Sequence, residues 1–351
     1  MSSISRAKKA RVGDIALQDD LAPLLHGGDL ASARRLFPDA PEPFLDLSTG
    51  INPHAYPIPR FAPEAFTRLP EPGALERLAA IAARAYGAPS ADHVVAASGT
   101  QIMLTQIASL VPPGRAALLG PTYAEHTRAA ALVGHGVEEV REVTGLKDAS
   151  LAIVVNPNNP DGRVVERKAL LALAAALAQR GGLLLVDEAF MDAGPAEESL
   201  GPDVEVGNIV VLRSFSKFFG LAGLRLGFAV AARTIAARLK ARLGPWAASG
   251  PAIAVGEVAL ADTAWQQQTR ARLAADVHRL EQFLIASGCA IVGGTALFRL
   301  ARVPNAEQRF AQLGRAGILV RRFAEHPRWL RFGLPGDEDA WQRLRGGLGL
   351  Q

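Results

Sequence analysis

The sequence of 351 residues is poor in cysteine and in long apolar runs, and each scarcity excludes a class of protein. Its one cysteine, Cys289, cannot form an intrachain disulfide, so we expect a reducing, cytoplasmic location rather than a disulfide-stabilised secreted fold. The longest uninterrupted apolar run, Ala169 to Ala178, spans ten residues and is too short to cross a membrane.

An excess of charge of one sign is also lacking. Lysine and arginine number 38 against 34 aspartate and glutamate, which gives a net charge of +4 at pH 7 without a long basic block. This charge is too diffuse to indicate a nucleic-acid partner. Hydrophobic residues make up 49% of the chain, which is too many for a disordered protein. We therefore expect a globular protein that binds neither nucleic acid nor membrane.

The hydrophobic pattern divides the chain into three parts. Short β-rich runs alternate with Ala/Leu-rich helical runs from about residue 92 to 230, which is typical of a parallel sheet covered by helices. Helices and short strands follow, including a long helical stretch that ends at Ala286. The Pro-rich opening from Pro38 to Pro59 predicts an extended arm rather than a packed element. We expect an N-terminal arm at 1–50 that joins the small domain, a large α/β domain at 51–240, and a small C-terminal α+β domain at 241–351.

Polar clusters follow the predicted strands of the large domain, at the edge where open α/β sheets bind ligands. Between them they supply an amine, a carboxylate, a guanidinium, several hydroxyls and a helix start. These groups suit pyridoxal 5'-phosphate: a lysine for its aldehyde, a carboxylate for its pyridine nitrogen, and a helix N-terminus with a cation for its phosphate. Each cluster alone could be an ordinary strand end, turn or helix cap, so the prediction depends on their order. The clusters are Ser98–Gln101, Asn156–Gly162, Asp187–Phe190, Ser214–Lys217 and Ala222–Arg225.

This series of motifs resembles the aminotransferase class I/II superfamily over almost all of the chain. The resemblance implies a pyridoxal-phosphate-dependent transferase of fold type I, with a mainly parallel sheet in the large domain and a smaller α+β domain. It implies three catalytic residues: Lys217 binds the cofactor covalently, Asp187 pairs with its pyridine nitrogen, and Tyr123 stacks on its ring. It implies no metal ion. The other cofactor-binding residues that it implies are Gly99, Thr100, Asn159, Ser214, Ser216 and Arg225.

The N-terminal arm resembles the branch of this superfamily that serves cobalamin synthesis. The matching text is His26-Gly27-Gly28 and the run from Asp46 to Pro53, D-L-S-T-G-I-N-P. The resemblance implies a carboxy-lyase that converts L-threonine O-3-phosphate to (R)-1-amino-2-propanol O-2-phosphate and CO2. It implies that Arg331 receives the substrate carboxylate. The other expected substrate contacts are His26, Gly28, Asn52, Asn159, Arg321 and Arg322.

Two other functions stay open. Histidinol-phosphate aminotransferases share the fold, the cofactor residues and a phosphorylated amine substrate. Leu69 stands where they carry a tyrosine that reaches the neighbouring subunit, and this argues against them. A non-catalytic aminotransferase-like module would carry an additional DNA-binding domain, and the α/β core begins too early to leave room for one. A homodimer is also implied, because active sites in the superfamily lie at the subunit interface.

Overall fold

The computed structural model describes residues 26–350, which form one large sheet, one small sheet and a two-stranded pair, with helices packed around them. The strands are β1 Leu45–Asp46, β2 Val94–Ala97, β3 Arg115–Leu119, β4 Gly136–Val140, β5 Leu151–Val155, β6 Leu183–Asp187, β7 Ile209–Ser214, β8 Gly227–Ala231, β9 Ala290–Thr295, β10 Phe298–Arg302, β11 Ile318–Leu319, β12 Arg321–Arg322 and β13 Trp329–Gly333. The helices are α1 Leu30–Leu36, α2 Glu64–Thr67, α3 Pro72–Tyr86, α4 Gln101–Ala108, α5 Glu125–Leu132, α6 Arg167–Ala178, α7 Arg233–Leu243, α8 Gly250–Ala261, α9 Thr263–Ala286, α10 Ala306–Arg315 and α11 Glu338–Gly347.

The large sheet has seven strands in the order β2-β8-β7-β6-β5-β3-β4. Strand β8 runs antiparallel to both neighbours, and the other pairs are parallel. Strands β5, β6 and β7 are buried along their whole length because helices cover both faces. Alternate residues therefore enter different cores, with Leu184 on one face and Leu185 on the other. The predicted α/β class and mainly parallel sheet are confirmed.

The small sheet is antiparallel, in the order β12-β13-β10-β9, and the arm is attached beside it. Strand β1 pairs in parallel with β11, where the Leu45 and Leu47 amides each donate at 2.8 Å to carbonyls of Gly317 and Leu319. Leu47 is buried, so the arm is packed here, and our expectation of an unpacked segment is wrong. The three domain boundaries stay a prediction.

The long helical stretch that we expected up to Ala286 is broken at Asp262. This residue ends α8, and its carboxylate accepts a hydrogen bond of 3.0 Å from the Trp265 amide, which caps the start of α9. Within residues 26–350, the model contains no helix with the length and apolar character needed to span a membrane.

Candidate active site

The predicted cofactor residues meet at one edge of the large sheet. Gly99, Asp187 and Ser214 follow or end strands β2, β6 and β7, whose carboxyl ends share this edge. Strand β8 is antiparallel, so its beginning lies at the same edge, and Arg225 stands just before it. Because β8 runs in the opposite direction to its neighbours, it brings the cation of Arg225 to this edge.

Lys217 lies half-buried at the centre of this edge. Burial lowers its pKa to about 8, with further lowering by Arg331 and Arg225 and an opposing effect of Asp187. Its Nζ lies 5.5 Å from the centre of the Phe190 ring. The amine is therefore available in its neutral, nucleophilic form close to physiological pH.

Asn52 holds the backbone around Lys217. Its own amide donates to the Lys217 carbonyl at 3.0 Å, and its Nδ2 donates to the Phe218 carbonyl at 2.8 Å. Its Oδ1 accepts from the His54 amide at 2.9 Å. We expected Asn52 to contact substrate, but these bonds give its side chain a role in positioning the lysine.

Asp187 is held by two donors in the buried wall of the site. His126 Nε2 donates to Asp187 Oδ2 at 2.8 Å, and the Ala189 amide donates to Oδ1 at 3.0 Å. Both side chains are buried. His126 was missed in the sequence, although it follows Tyr123 by three residues, a spacing that places both on one face of a helical turn.

Tyr123 stands beside this pair. Its ring meets the His126 ring edge-on with 5.8 Å between centroids, and its hydroxyl donates to Gln101 Oε1 at 3.3 Å. Burial raises the Tyr123 pKa to about 12, and Glu125 and Asp187 add to this effect. The hydroxyl therefore keeps its proton throughout the physiological range, as a group that stacks and donates rather than acts as a base.

Gly99, Thr100 and Arg225 form an anion site at the start of α4. Gly99 has a left-handed φ of 88°, and a Cβ there would lie 2.5 Å from Arg225 Nη2, so a side chain would displace the guanidinium. Thr100 occupies the N-cap position of α4 without a side-chain hydrogen bond to the helix. Ser214 and Ser216 are buried nearby, and the Ser216 amide donates to Ser214 Oγ at 3.4 Å. A helix N-terminus, hydroxyls and a cation are the donors that a phosphate requires.

Arg331 faces the same space from strand β13. It is buried, its Nη1 donates to Asn159 Oδ1, and its Nη2 donates to the Ser48 carbonyl at 2.7 Å. Burial lowers its pKa to about 9, with a further contribution from Arg321 and an opposing one from Asp46. Its Nε lacks a partner within the described residues. A buried cation with an unused donor is suited to an anionic ligand.

The pairing of β12 with β13 separates the two neighbouring arginines. Arg321 lies opposite Arg331 and therefore shares its face, whereas Arg322 lies opposite Leu330 and faces the other way. The Arg322 guanidinium stacks 4.1 Å from the centre of the Phe310 ring. We expected substrate contacts at both arginines, but the pairing brings Arg321 to the site and turns Arg322 away from it.

The arm reaches the site at His26 and its two glycines. His26 Nε2 donates to Glu125 Oε1 at 3.1 Å, and its ring centroid lies 6.2 Å from that of Tyr123. The Gly28 amide donates to Ser48 Oγ at 2.7 Å, so it is engaged and is not the free phosphate donor that we expected. Of these arm residues, His26 is the one whose side chain faces Tyr123.

The donor set fits pyridoxal phosphate. The space that Gly99 leaves beside Arg225 suits a phosphate, Lys217 supplies an amine of lowered pKa, and Asp187 presents an oriented carboxylate. Within residues 26–350, no group of three or more His, Cys, Asp or Glu side chains is placed to hold a metal ion.

Residues 62–346 match the family model for aminotransferase class I and II. The chain belongs to this family, which confirms the predicted superfamily and its cofactor, pyridoxal 5'-phosphate. It is 44% identical to a threonine-phosphate decarboxylase of Pseudomonas aeruginosa, over 93% of this chain and 97% of that protein. It is 40% identical to a threonine-phosphate decarboxylase of a Sinorhizobium species, over 93% of this chain and 98% of that one. The solved histidinol-phosphate aminotransferase of Sinorhizobium meliloti in complex with pyridoxal 5'-phosphate matches with a TM-score of 0.80, 20% identity and 97% of each chain, which shows the shared fold.

Proposed function

We propose that this protein is a carboxy-lyase that converts L-threonine O-3-phosphate to (R)-1-amino-2-propanol O-2-phosphate and CO2, for the linker of cobalamin. The observation that carries the proposal is the group of cations in front of Lys217. Arg331 and Arg321 share one face of the small sheet, which suits a substrate with two anionic groups, a carboxylate and a phosphate. The proposal is supported by the 44% identity to a relative named for this reaction.

The described residues divide the chemistry among them. Bound pyridoxal phosphate supplies an electron sink for the pair of electrons that CO2 leaves behind. Lys217, with a pKa of about 8, is populated in both forms near neutral pH and can therefore hold a proton and deliver it to the substrate carbon. Asp187, oriented by His126, would pair with the pyridine nitrogen. Tyr123 would stack on the cofactor ring.

The choice of reaction depends on how the substrate is held. The bond that breaks is the one that lies perpendicular to the cofactor ring, so the residues that bind the two anionic groups decide which bond this is. Arg331 is anchored by Asn159 and the Ser48 carbonyl, and it therefore offers a fixed point for one of these groups. The rigid anchor favours one orientation of the substrate and hence one reaction.

The test is a single assay that separates decarboxylation from transamination. Purified, cofactor-loaded protein is incubated with L-threonine O-3-phosphate and 2-oxoglutarate, and CO2, aminopropanol phosphate and glutamate are measured together. We expect CO2 and the amine without glutamate. Inactivity there, with glutamate formed from histidinol phosphate, would instead identify a histidinol-phosphate aminotransferase.

Arg321 and Arg322 provide a matched test of the substrate site. We expect Arg321→Ala to raise the KM for L-threonine O-3-phosphate at least about tenfold, because a hydrogen bond to a charged group contributes about 1.5–3 kcal/mol. Arg322→Ala removes the same side chain from the opposite face and is expected to change KM less than about twofold. Steady-state kinetics on both variants, with melting temperatures to verify folding, decides between them. Equal effects would remove Arg321 from the site.

A homodimer and a cytoplasmic location complete the proposal. Three large apolar side chains around α2 and the segment before α8 are exposed: Phe66 by 70%, Leu69 by 67% and Trp246 by 51%. Exposed apolar residues in neighbouring segments are typical of a subunit interface. Light scattering tests the proposed dimer, whose expected mass is twice the chain mass of 37.0 kDa.

A further inference from the structure

Glu125 is a buried carboxylate that the chemistry above does not use. It begins α5 and is 5% exposed. Its Oε1 accepts from His26 Nε2 at 3.1 Å, and its Oε2 accepts from Gln101 Nε2 at 2.6 Å. Arg128, one turn along the same helix, lies 3.7 Å from Oε2. Its partners thus come from the arm, from the start of α4 and from α5 itself.

A role in capping α5 does not account for these contacts. An acidic residue in the first turn of a helix interacts favourably with the helix dipole while exposed to water. Burial of a carboxylate costs free energy unless polar partners replace the water. Glu125 has such partners on two separate elements, so its position points to a connection between those elements.

The connection joins two parts of the molecule. The arm is attached to the C-terminal part of the chain, because β1 pairs with β11 and the Phe37 ring packs against the Phe310 ring at 5.7 Å between centroids. Glu125 belongs to α5, which flanks the large sheet. The contact between His26 and Glu125 therefore bridges the arm and the large sheet beside the stacking residue Tyr123.

We propose that Glu125 is a positioning residue that holds His26 of the N-terminal arm beside Tyr123, where we expect the imidazole to contact the substrate phosphate. This inference rests on the proposed function for the identity of the substrate. The second oxygen of Glu125 binds Gln101, which in turn accepts from the Tyr123 hydroxyl. The carboxylate of Glu125 therefore lies between the arm and the start of α4, which carries Gln101.

The expected consequence is a loss of affinity rather than of chemistry. Without Glu125, the arm spends part of its time away from Tyr123. The apparent dissociation constant for substrate then equals the intrinsic constant divided by the fraction of molecules in which the arm is in place, so affinity decreases. The catalytic residues Lys217 and Asp187 do not contact Glu125 through any hydrogen bond described above. The effect therefore concerns the substrate phosphate and is small for a substrate without one.

The test uses Glu125→Met, which preserves length and removes both acceptors, in the cofactor-loaded full chain. We expect the KM for L-threonine O-3-phosphate to rise about tenfold or more, with kcat within about threefold. The dissociation constant for unphosphorylated L-threonine, followed by cofactor absorbance, is expected to change less than threefold. In the double variant with His26→Ala, KM is expected to match that of His26→Ala alone, because the two residues act as one unit.

Hydrogen exchange supplies a readout that is independent of turnover. We expect amides of residues 26–36 to exchange at least about tenfold faster in Glu125→Met. The matched control is Asp276→Leu, which removes a carboxylate that lies 3.0 Å from His54 in a contact of the same type. It is expected to leave both exchange in the arm and KM unchanged.

The outcomes separate this inference from the proposed function. Faster exchange in the arm of Glu125→Met supports the positioning role of Glu125. If the wild-type protein at the same time fails to decarboxylate L-threonine O-3-phosphate, the proposed reaction is refuted. If the wild-type enzyme is active and Glu125→Met shows unchanged exchange in the arm and unchanged KM, the positioning role is overturned. Equal losses of affinity for the phosphorylated and unphosphorylated amino acids, or additive effects with His26→Ala, also overturn it, because they indicate a general structural defect.

Discussion

The Lys217→Ala variant is expected to lose at least about 10³-fold of the turnover of L-threonine O-3-phosphate. Proton transfer by a positioned side chain contributes about 10²–10⁴-fold to an enzymatic rate, and Lys217 also supplies the nucleophile for the cofactor aldehyde. Release of CO2 gives the rate, and visible absorbance reports whether the cofactor is bound covalently. Lys168→Ala, which removes an exposed lysine on α6, is the control and should retain full activity.

The lowered pKa of Lys217 adds a pH dependence with a definite sign. The neutral amine is the form that attacks an aldehyde, and its fraction rises with pH until the pKa is passed. Capture of pyridoxal phosphate by cofactor-free protein should therefore accelerate as pH rises and level off above about 8. Acceleration that continues to pH 10 would show that burial and the neighbouring arginines do not act on this lysine as described.

The Asp187→Asn variant is expected to lower kcat by about 10²–10⁴-fold, the range for loss of a group that controls a proton in the transition state. Asparagine has the same shape and can still accept from the Ala189 amide, but it lacks the charge that keeps a pyridine nitrogen protonated. The reaction would then lose its electron sink while the cofactor still binds. Turnover per molecule of bound cofactor is the quantity to measure.

Asp148→Asn is the control for the Asp187 variant, because the Asp148 side chain is 76% exposed and lies away from the site in an ion pair with Arg180. A kcat for Asp187→Asn within tenfold of the wild type would mean that the carboxylate does not serve the pyridine nitrogen. His126→Phe should reproduce part of the loss, because Asp187 would lose the donor that orients it.

The sequence predicts the sheet of the large domain well because its strands are buried on both faces. Such strands are continuous apolar runs, and β5 and β6 lie within the region of alternating strands and helices that the sequence predicts from about residue 92 to 230. The polar residues after them then fall at one edge, as the geometry of a parallel sheet requires. The grouping of these polar residues is therefore predictable from the sequence.

The residues that face the substrate could not be predicted as well as the cofactor residues. Whether Arg321 or Arg322 faces the site depends on the register of β12 on β13, and a shift by one residue reverses the two faces. The Gly28 amide is engaged by Ser48, twenty residues away, a contact that local sequence does not indicate. His126 faces Asp187 because α5 begins immediately before it, a boundary that the sequence leaves uncertain.

Ser48 connects Gly28 of the arm to Arg331 and so determines the distance between the two ends of the site. Its Oγ accepts a hydrogen bond from the Gly28 amide, and its carbonyl accepts one from Arg331 Nη2. The segment His26–Gly28 and the Arg331 guanidinium are therefore both positioned by Ser48. Both hydrogen bonds end on Ser48, so the distance between His26 and Arg331 is set through one short residue. If His26 and Arg331 bind opposite ends of the substrate, as proposed, phosphorylated amino acids with longer or shorter carbon chains would satisfy one end of the site but not both.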